Sequence, residues 1–187
     1  QGVKALTLFA FSSENWQRPK PEVDALMRLL YRYVTNEVKE LHANNVRLRF
    51  IGDRSQFSPS IVAGIHNAEL KTAGNTGATL VIAADYGGQW DIAQAAAVVA
   101  KQGGEITTEA IQSQLSTADL PGLDLLIRTG GEHRISNFLL WQAAYAELYF
   151  TDCLWPDFDV NELQAALKSF GGRERRYGLT TEQVNNA

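Results

Sequence analysis

The feature that most constrains this chain is its alternation of short apolar runs with longer amphipathic stretches. KALTLFAF, Lys4 to Phe11, reads as a buried strand, and an amphipathic helix is predicted from about Pro21 to Ala43. Within that helix Val23, Leu26, Met27, Leu30, Val34, Val38 and Leu41 recur at three and four residues, which lays one apolar stripe along it. VRLRFIGD alternates as a half-buried strand does, with Val46, Leu48 and Phe50 on one face and Arg47 and Arg49 on the other. ATLVIAADYGG and LDLLIRTGG read as two more strands, and ELYF as a short extended piece. Further helices are expected over Pro59–Ala73 behind Ser58, Trp90–Lys101, Thr108–Leu115 behind Thr107 or Thr108, the segment SNFLLWQAAYA, and Pro156–Phe170 before the basic run GGRERRYG. Strands that alternate with helices predict one α/β domain over residues 1–187, with a central, mostly parallel sheet flanked by helices. A chain of 187 residues can bury a core of that size.

Three strands end alike: FAF-SSEN, IAA-DYGG and LLI-RTGG. Each apolar run stops and delivers glycine or polar residues. Open parallel sheets bind ligands beyond the carboxyl ends of their strands, so the site is expected to be gathered from these three loops.

RTGGEHRIS carries the strongest chemistry. Its glycine pair allows close backbone approach and is expected to offer amide donors. Arg128 and Arg134 supply planar forks of donors suited to phosphate oxygens, and Ser136 adds a hydroxyl at the start of the predicted helix. The competing reading is a surface turn in which an arginine pairs with Glu132 in solvent. His133 reads either as a polar loop residue or as a metal ligand, for which spacing alone names no partner. In SSENWQRP, Ser12, Ser13, Glu14, Asn15, Trp16 and Arg18 follow a buried strand; Arg18 can reach a phosphate, and Trp16 can cover an apolar ligand or staple the next helix. Glu147 interrupts the apolar run YAELYF, so its carboxylate needs a partner or a pocket.

Other classes are disfavoured. GxGxxG after a strand, GxxxxGK[ST], HExxH, GxSxG and DDxxD are absent. A net charge of -4 argues against a nucleic-acid partner. Cys153 is the only cysteine, which rules out an intrachain disulfide and suits a reducing cytoplasm. No apolar run is long enough to span a membrane as a helix.

In their order, FAFSSENWQRP, GNTG, YGGQWDI, RTGGEHRISNFLLWQAAYAELYF and WPDFD closely resemble the cis-prenyltransferases, the bacterial members above all. The likeness spans nearly the whole chain and thins over about 96–120 and after Tyr177. The resemblance implies a Mg²⁺-dependent homodimer with a central parallel sheet and a hydrophobic tunnel. It implies repeated addition of isopentenyl diphosphate to farnesyl diphosphate with cis double bonds, the product being delivered to the membrane for peptidoglycan synthesis. A cytoplasmic enzyme, peripheral at the inner face of the membrane, is the implied setting. Arg128, Arg134, Ile135 and Ser136 match the residues that hold the diphosphate of isopentenyl diphosphate. His133 and Glu147 match metal-site positions. Ser12, Ser13, Glu14, Trp16 and Arg18 match the substrate-side loop, and Asn15 matches a proton acceptor. A carboxamide is a poor base, so orientation of substrate by Asn15 is the other role, with diphosphate or water taking the proton.

The family pattern also opens with a strand and an MDGNxRWA loop whose aspartate binds Mg²⁺ and which cradles the allylic diphosphate. No such loop occurs in this sequence. The expectation is that these 187 residues by themselves keep the isopentenyl diphosphate half of the site, are inactive and are poorly stable. A noncatalytic partner subunit of a cis-prenyltransferase is the alternative, which the complete RTGGEHR block disfavours.

Overall fold

The computed structural model describes residues 2–172, and most of the basic run GGRERRYG lies outside the described residues. The chain divides into two compact units, Gln1–Pro121 and Gly122–Ala187. The first unit runs β1 (Ala5–Ser12), α1 (Lys20–Asn36), α2 (Val38–Ala43), β2 (Arg47–Ile51), α3 (Pro59–Thr72), β3 (Thr79–Tyr86), α4 (Gly88–Lys101) and α5 (Thr108–Gln114). The second holds β4 (Leu125–Arg128), β5 (Glu147–Phe150) and α6 (Val160–Gly171), with 3₁₀ turns at Gln142–Tyr145 and Trp155–Asp157.

Every observed strand pairing is parallel, as the alternation of elements predicts. The strands form two sheets rather than the single sheet expected: β1-β3-β2 in the first unit and β4-β5 in the second. The core of the first unit lies between its sheet and α1–α3. Leu30, Val34, Leu48, Phe50, Ile61, Ile65 and Ile82 pack there, and Ile65 is wholly buried. The apolar stripe of the long helix and the inward faces of VRLRFI and ATLVIAA are thus largely spent on one another. Leu29 and Tyr31 of α1 remain exposed.

Three local expectations are corrected. The helix predicted over Pro21–Ala43 is broken at Glu37. Just before the break, Thr35 Oγ1 donates to the carbonyls of Tyr31 at 2.9 Å and Arg32 at 3.1 Å, a back-bonding pattern that bends helices. SNFLLWQAAYA is not a helix. Ser136, Asn137 and Leu139 take φ values of +47°, +61° and +46°, which a right-handed helix excludes, and only Gln142–Tyr145 winds into a turn. The last helix begins at Val160, not Pro156, because Asp159 accepts from the Asn161 and Glu162 amides at 2.8 and 3.1 Å and caps it. The other caps fall where expected: Thr107 accepts from the Ala110 amide, and Ser58 from that of Ile61.

Candidate functional site

Because β1, β3 and β2 are adjacent and parallel, their carboxyl ends share one rim. That rim carries Ser12–Arg18, Gly52–Asp53 and Asp85–Gly87. Two of the three predicted loops, FAF-SSEN and IAA-DYGG, therefore meet. The end of β2 joins them, while LLI-RTGG ends β4 in the second unit.

The loop after β1 closes on itself. Ser13–Gln17 forms a 3₁₀ turn, and the Ser12 amide donates to Asn15 Oδ1 at 2.9 Å. Asn15 is thereby fixed as the clasp of its own loop. Ser13 Oγ donates to Glu14 Oε2 at 3.2 Å, and Arg18 pairs with Glu22 at 2.7 Å on the exposed start of α1. Trp16 packs edge-on against Phe11, with ring centroids 4.9 Å apart, and against Phe57 at 6.0 Å. This is the apolar cover that the sequence allowed, and it is also an anchor to the core.

Asp85 was not singled out from the sequence. The only signal was an acid closing the apolar run ATLVIAA. Phe11 pairs with Ala84 and Ser12 with Tyr86, so Asp85 is the extra residue of a bulge. Its φ is +53° and its exposure 3%. Gly52 is pressed against the same bulge: a Cβ there would stand 2.1 Å from the Ala84 carbonyl oxygen, so only glycine fits. The Asp53 amide donates to the Asp85 carbonyl at 2.9 Å, which ties the ends of β2 and β3 together. Burial raises the pKa of the Asp85 carboxyl above the usual carboxylate range; the Trp16 side chain, directed at it, lowers it, and the nearby Asp53 and Glu14 carboxylates raise it. Even so, neither Trp16 Nε1 nor Asp85 Oδ2, both buried, completes a hydrogen bond of ordinary geometry.

In the second unit, the RTGG loop follows β4. Gly130 and Gly131 take φ values of +84° and +73°. Their amides are not open donors, as the sequence suggested. Gly130 donates to the Cys153 carbonyl at 2.9 Å and Gly131 to that of Thr151 at 3.0 Å, which moors the loop to the chain leaving β5. Arg128 ends β4, its carbonyl accepting from the Thr151 amide, and its Nε is buried with no hydrogen-bond partner. A guanidinium N–H in that state calls for an acceptor. Arg134 pairs with Glu132 on the exposed loop, the contact foreseen as the competing reading. The Ile135 carbonyl accepts from the Phe138 amide, turning the chain at Ser136; there is no helix N-terminus at Ser136.

His133 packs its ring 5.3 Å from that of Phe150, at the carboxyl end of β5. Glu147 opens the same strand opposite Leu125, three residues or about 10 Å earlier. Among the described residues no group of three His, Cys, Asp or Glu side chains could enclose a metal ion. Mg²⁺ does not need such a cage. It keeps several waters and is commonly held by one or two carboxylates together with substrate phosphates. The Glu147 carboxylate suits an ion of that kind, but the structure does not bring His133 beside it: the two stand at opposite ends of β5.

The family model for undecaprenyl diphosphate synthase matches residues 1–178. A ditrans,polycis-undecaprenyl-diphosphate synthase, (2E,6E)-farnesyl-diphosphate specific, from Pseudomonas syringae pv. tomato is 57% identical over 189 residues, which is 97% of this chain and 75% of that protein. An isoprenyl transferase from Neisseria gonorrhoeae is 57% identical over 98% of this chain and 74% of its own length. Among solved structures, a probable undecaprenyl diphosphate synthase from Campylobacter jejuni superposes with a TM-score of 0.87 at 38% identity, covering 94% of this chain and 83% of that one. Lavandulyl diphosphate synthase from Lavandula x intermedia, in complex with dimethylallyl diphosphate, gives 0.88 at 37% identity, covering 95% and 80%. Matched by the family model over residues 1–178 and, over nearly its whole length, 57% identical to a synthase, this chain belongs to the undecaprenyl diphosphate synthase family of prenyltransferases.

Proposed function

We infer that the protein condenses isopentenyl diphosphate repeatedly onto (2E,6E)-farnesyl diphosphate, forming cis double bonds and giving undecaprenyl diphosphate. The observation that carries this reading is the buried, unpartnered Nε of Arg128 beside the moored glycine pair, in a chain 57% identical to a synthase of that name. In each round the allylic C–O bond breaks and its electron pair leaves with diphosphate. The double bond of isopentenyl diphosphate attacks the allylic carbon, and a proton is then lost to set the new cis double bond.

Arg128, Arg134, Ile135 and Ser136 hold the diphosphate of isopentenyl diphosphate in this reading. Guanidinium forks match phosphate oxygens in pairs, and Arg128 has a donor still to satisfy. Arg134 must exchange Glu132 for phosphate, a small cost because that pair is exposed. Ser12, Ser13, Glu14, Trp16 and Arg18 form the substrate-side loop, with the Trp16, Phe11 and Phe57 cluster excluding water from the reacting carbons. Asn15 orients rather than accepts a proton: its carboxamide oxygen already serves the Ser12 amide. Glu147 would hold Mg²⁺, which, when bound, neutralises charge on diphosphate, while His133, at the other end of β5, stands apart from it. The working assembly is a homodimer that passes its product to a membrane; no helix among the described residues is long and apolar enough to cross one.

Radiolabelled isopentenyl diphosphate incorporation with farnesyl diphosphate and Mg²⁺, with product length analysed, tests this on these 187 residues and on the same chain carrying an MDGNxRWA segment. Long cis-polyprenyl product is expected from the chain that carries the segment, and Arg128→Ala in it should lower the rate by about 10²-fold, as removal of a preorganised charge-stabilising donor does. Absence of polyprenyl product from both proteins overturns the reading.

A further inference from the structure

Two buried polar atoms on the same rim lack partners, and they belong to residues that face one another: Trp16 Nε1, a donor only, and Asp85 Oδ2, an acceptor when ionised. Each is costly to leave unmet in a dry site. They also differ in how they are held. Asp85 is held by a bulge opposite Ser12, by a left-handed backbone, by the Asp53 amide on its carbonyl and by Gly52 pressed against it. Trp16 sits on a five-residue 3₁₀ turn. Strain held in place by its surroundings is a mark of functional positions, and bulges beside sites re-aim side chains. Asp53 and Glu14, the charged groups that raise the Asp85 pKa, are both acids and, when ionised, offer it no donor.

We propose that Asp85 is the positioning residue of the substrate-side loop, its Oδ2 accepting from Trp16 Nε1 when the loop tightens on an allylic diphosphate. The fixed bulge then acts as the anvil and the Ser13–Gln17 turn as the moving part. Closure of the loop would bring long or poorly aligned geometry into an ordinary hydrogen bond. Asp85 acts through Trp16 and does not touch the reacting atoms. The inference rests on the prenyl-transfer reading for the identity of the ligand, and for the pairing on the two buried unpartnered atoms and the Trp16 side chain directed at Asp85.

The test follows the indole N–H signals of ¹⁵N-labelled protein, with Trp16→Phe assigning the Trp16 peak. Farnesyl diphosphate with Mg²⁺, without isopentenyl diphosphate, is the probe, on the chain carrying an MDGNxRWA segment. Two variants separate acceptor from backbone: Asp85→Asn keeps an acceptor oxygen, and Asp85→Gly removes the carboxyl at a position whose φ suits glycine. The expected result is a downfield shift of the Trp16 signal on binding in wild type and Asp85→Asn, lost in Asp85→Gly. In turnover, Asp85→Gly and Trp16→Phe should each raise KM for farnesyl diphosphate about fivefold, the size of one net hydrogen bond, and the double variant should do no more than either single one. A Trp16 signal that ignores the probe, a shift that survives in Asp85→Gly, or effects that multiply in the double variant would each overturn the proposal. Those outcomes leave the prenyl-transfer reading standing so long as the chain carrying the segment makes polyprenyl product, and absence of product sinks that reading separately.

Discussion

Asp85 shows how one residue makes stability depend on pH. Its carboxyl has a pKa above the ordinary 3.8, with burial as the first cause. Above that ordinary value the folded state binds more protons at Asp85 than the unfolded state does. Stability from this group is therefore intact below the unfolded pKa and is lost as pH rises through the folded one. Asp85→Asn removes the titration while Asp53, Glu14 and Trp16 still face the site. Urea unfolding across about pH 4 to 8 should find the variant gaining on wild type as pH rises, and then a level gap. A gap that does not change with pH counts against the assignment. At this scale the sequence was only partly readable. Arg128 and Arg134 stood out because few residue types suit phosphate. The occupation of the Gly130 and Gly131 amides did not, because their acceptors, the carbonyls of Cys153 and Thr151, lie 23 and 20 positions along the chain.

At the scale of elements, β2 is the edge of its sheet, yet its outward amides are not left for another strand. Helix α3 covers them with side chains: the Leu48 amide donates to Thr72 Oγ1 at 3.0 Å and the Phe50 amide to Glu69 Oε1 at 2.8 Å. Thr72 is wholly buried and passes its own proton to the Ala68 carbonyl at 3.0 Å. Thr72→Val keeps the shape and adds apolar surface, but it strands the buried Leu48 amide. It should cost about 1–3 kcal/mol in chemical denaturation, and a neutral or stabilising result would show that the hydroxyl is dispensable. Periodicity located α1 because its apolar stripe, with Leu30 and Val34, faces the core. It misread SNFLLWQAAYA for a physical reason. The density of apolar residues there suits a helix, but the positive φ values at Ser136, Asn137 and Leu139 follow from the turn that the chain makes there, not from local preference.

For the whole molecule, the Mg²⁺ proposed above is expected to serve catalysis rather than the fold. Among the described residues no group of three His, Cys, Asp or Glu side chains could enclose an ion. Chelation of divalent ions should abolish prenyl transfer and leave the urea midpoint in place. A large fall in that midpoint would mean that an ion holds the fold together. The cavity of about 210 Å³ beside β2, lined by Arg47, Arg49, His66, Glu69 and Leu70 among others, is of mixed charge and is not the apolar tunnel that the resemblance implies.

By itself the sequence determined the α/β class, the parallel pairing, the order of elements and the arginine-bearing turn. These depend on short-range patterns: the period of apolar residues, the caps Ser58 and Thr107, and residue types whose chemistry is specific wherever they stand. Only the tertiary structure decided the division of the strands into two sheets, the third loop on the first rim, the mooring of the glycine pair and the burial of Asp85 against Trp16. Each of these depends on which distant backbone groups arrive next to one another, and a hydrogen bond or a desolvated carboxyl exists only once they have.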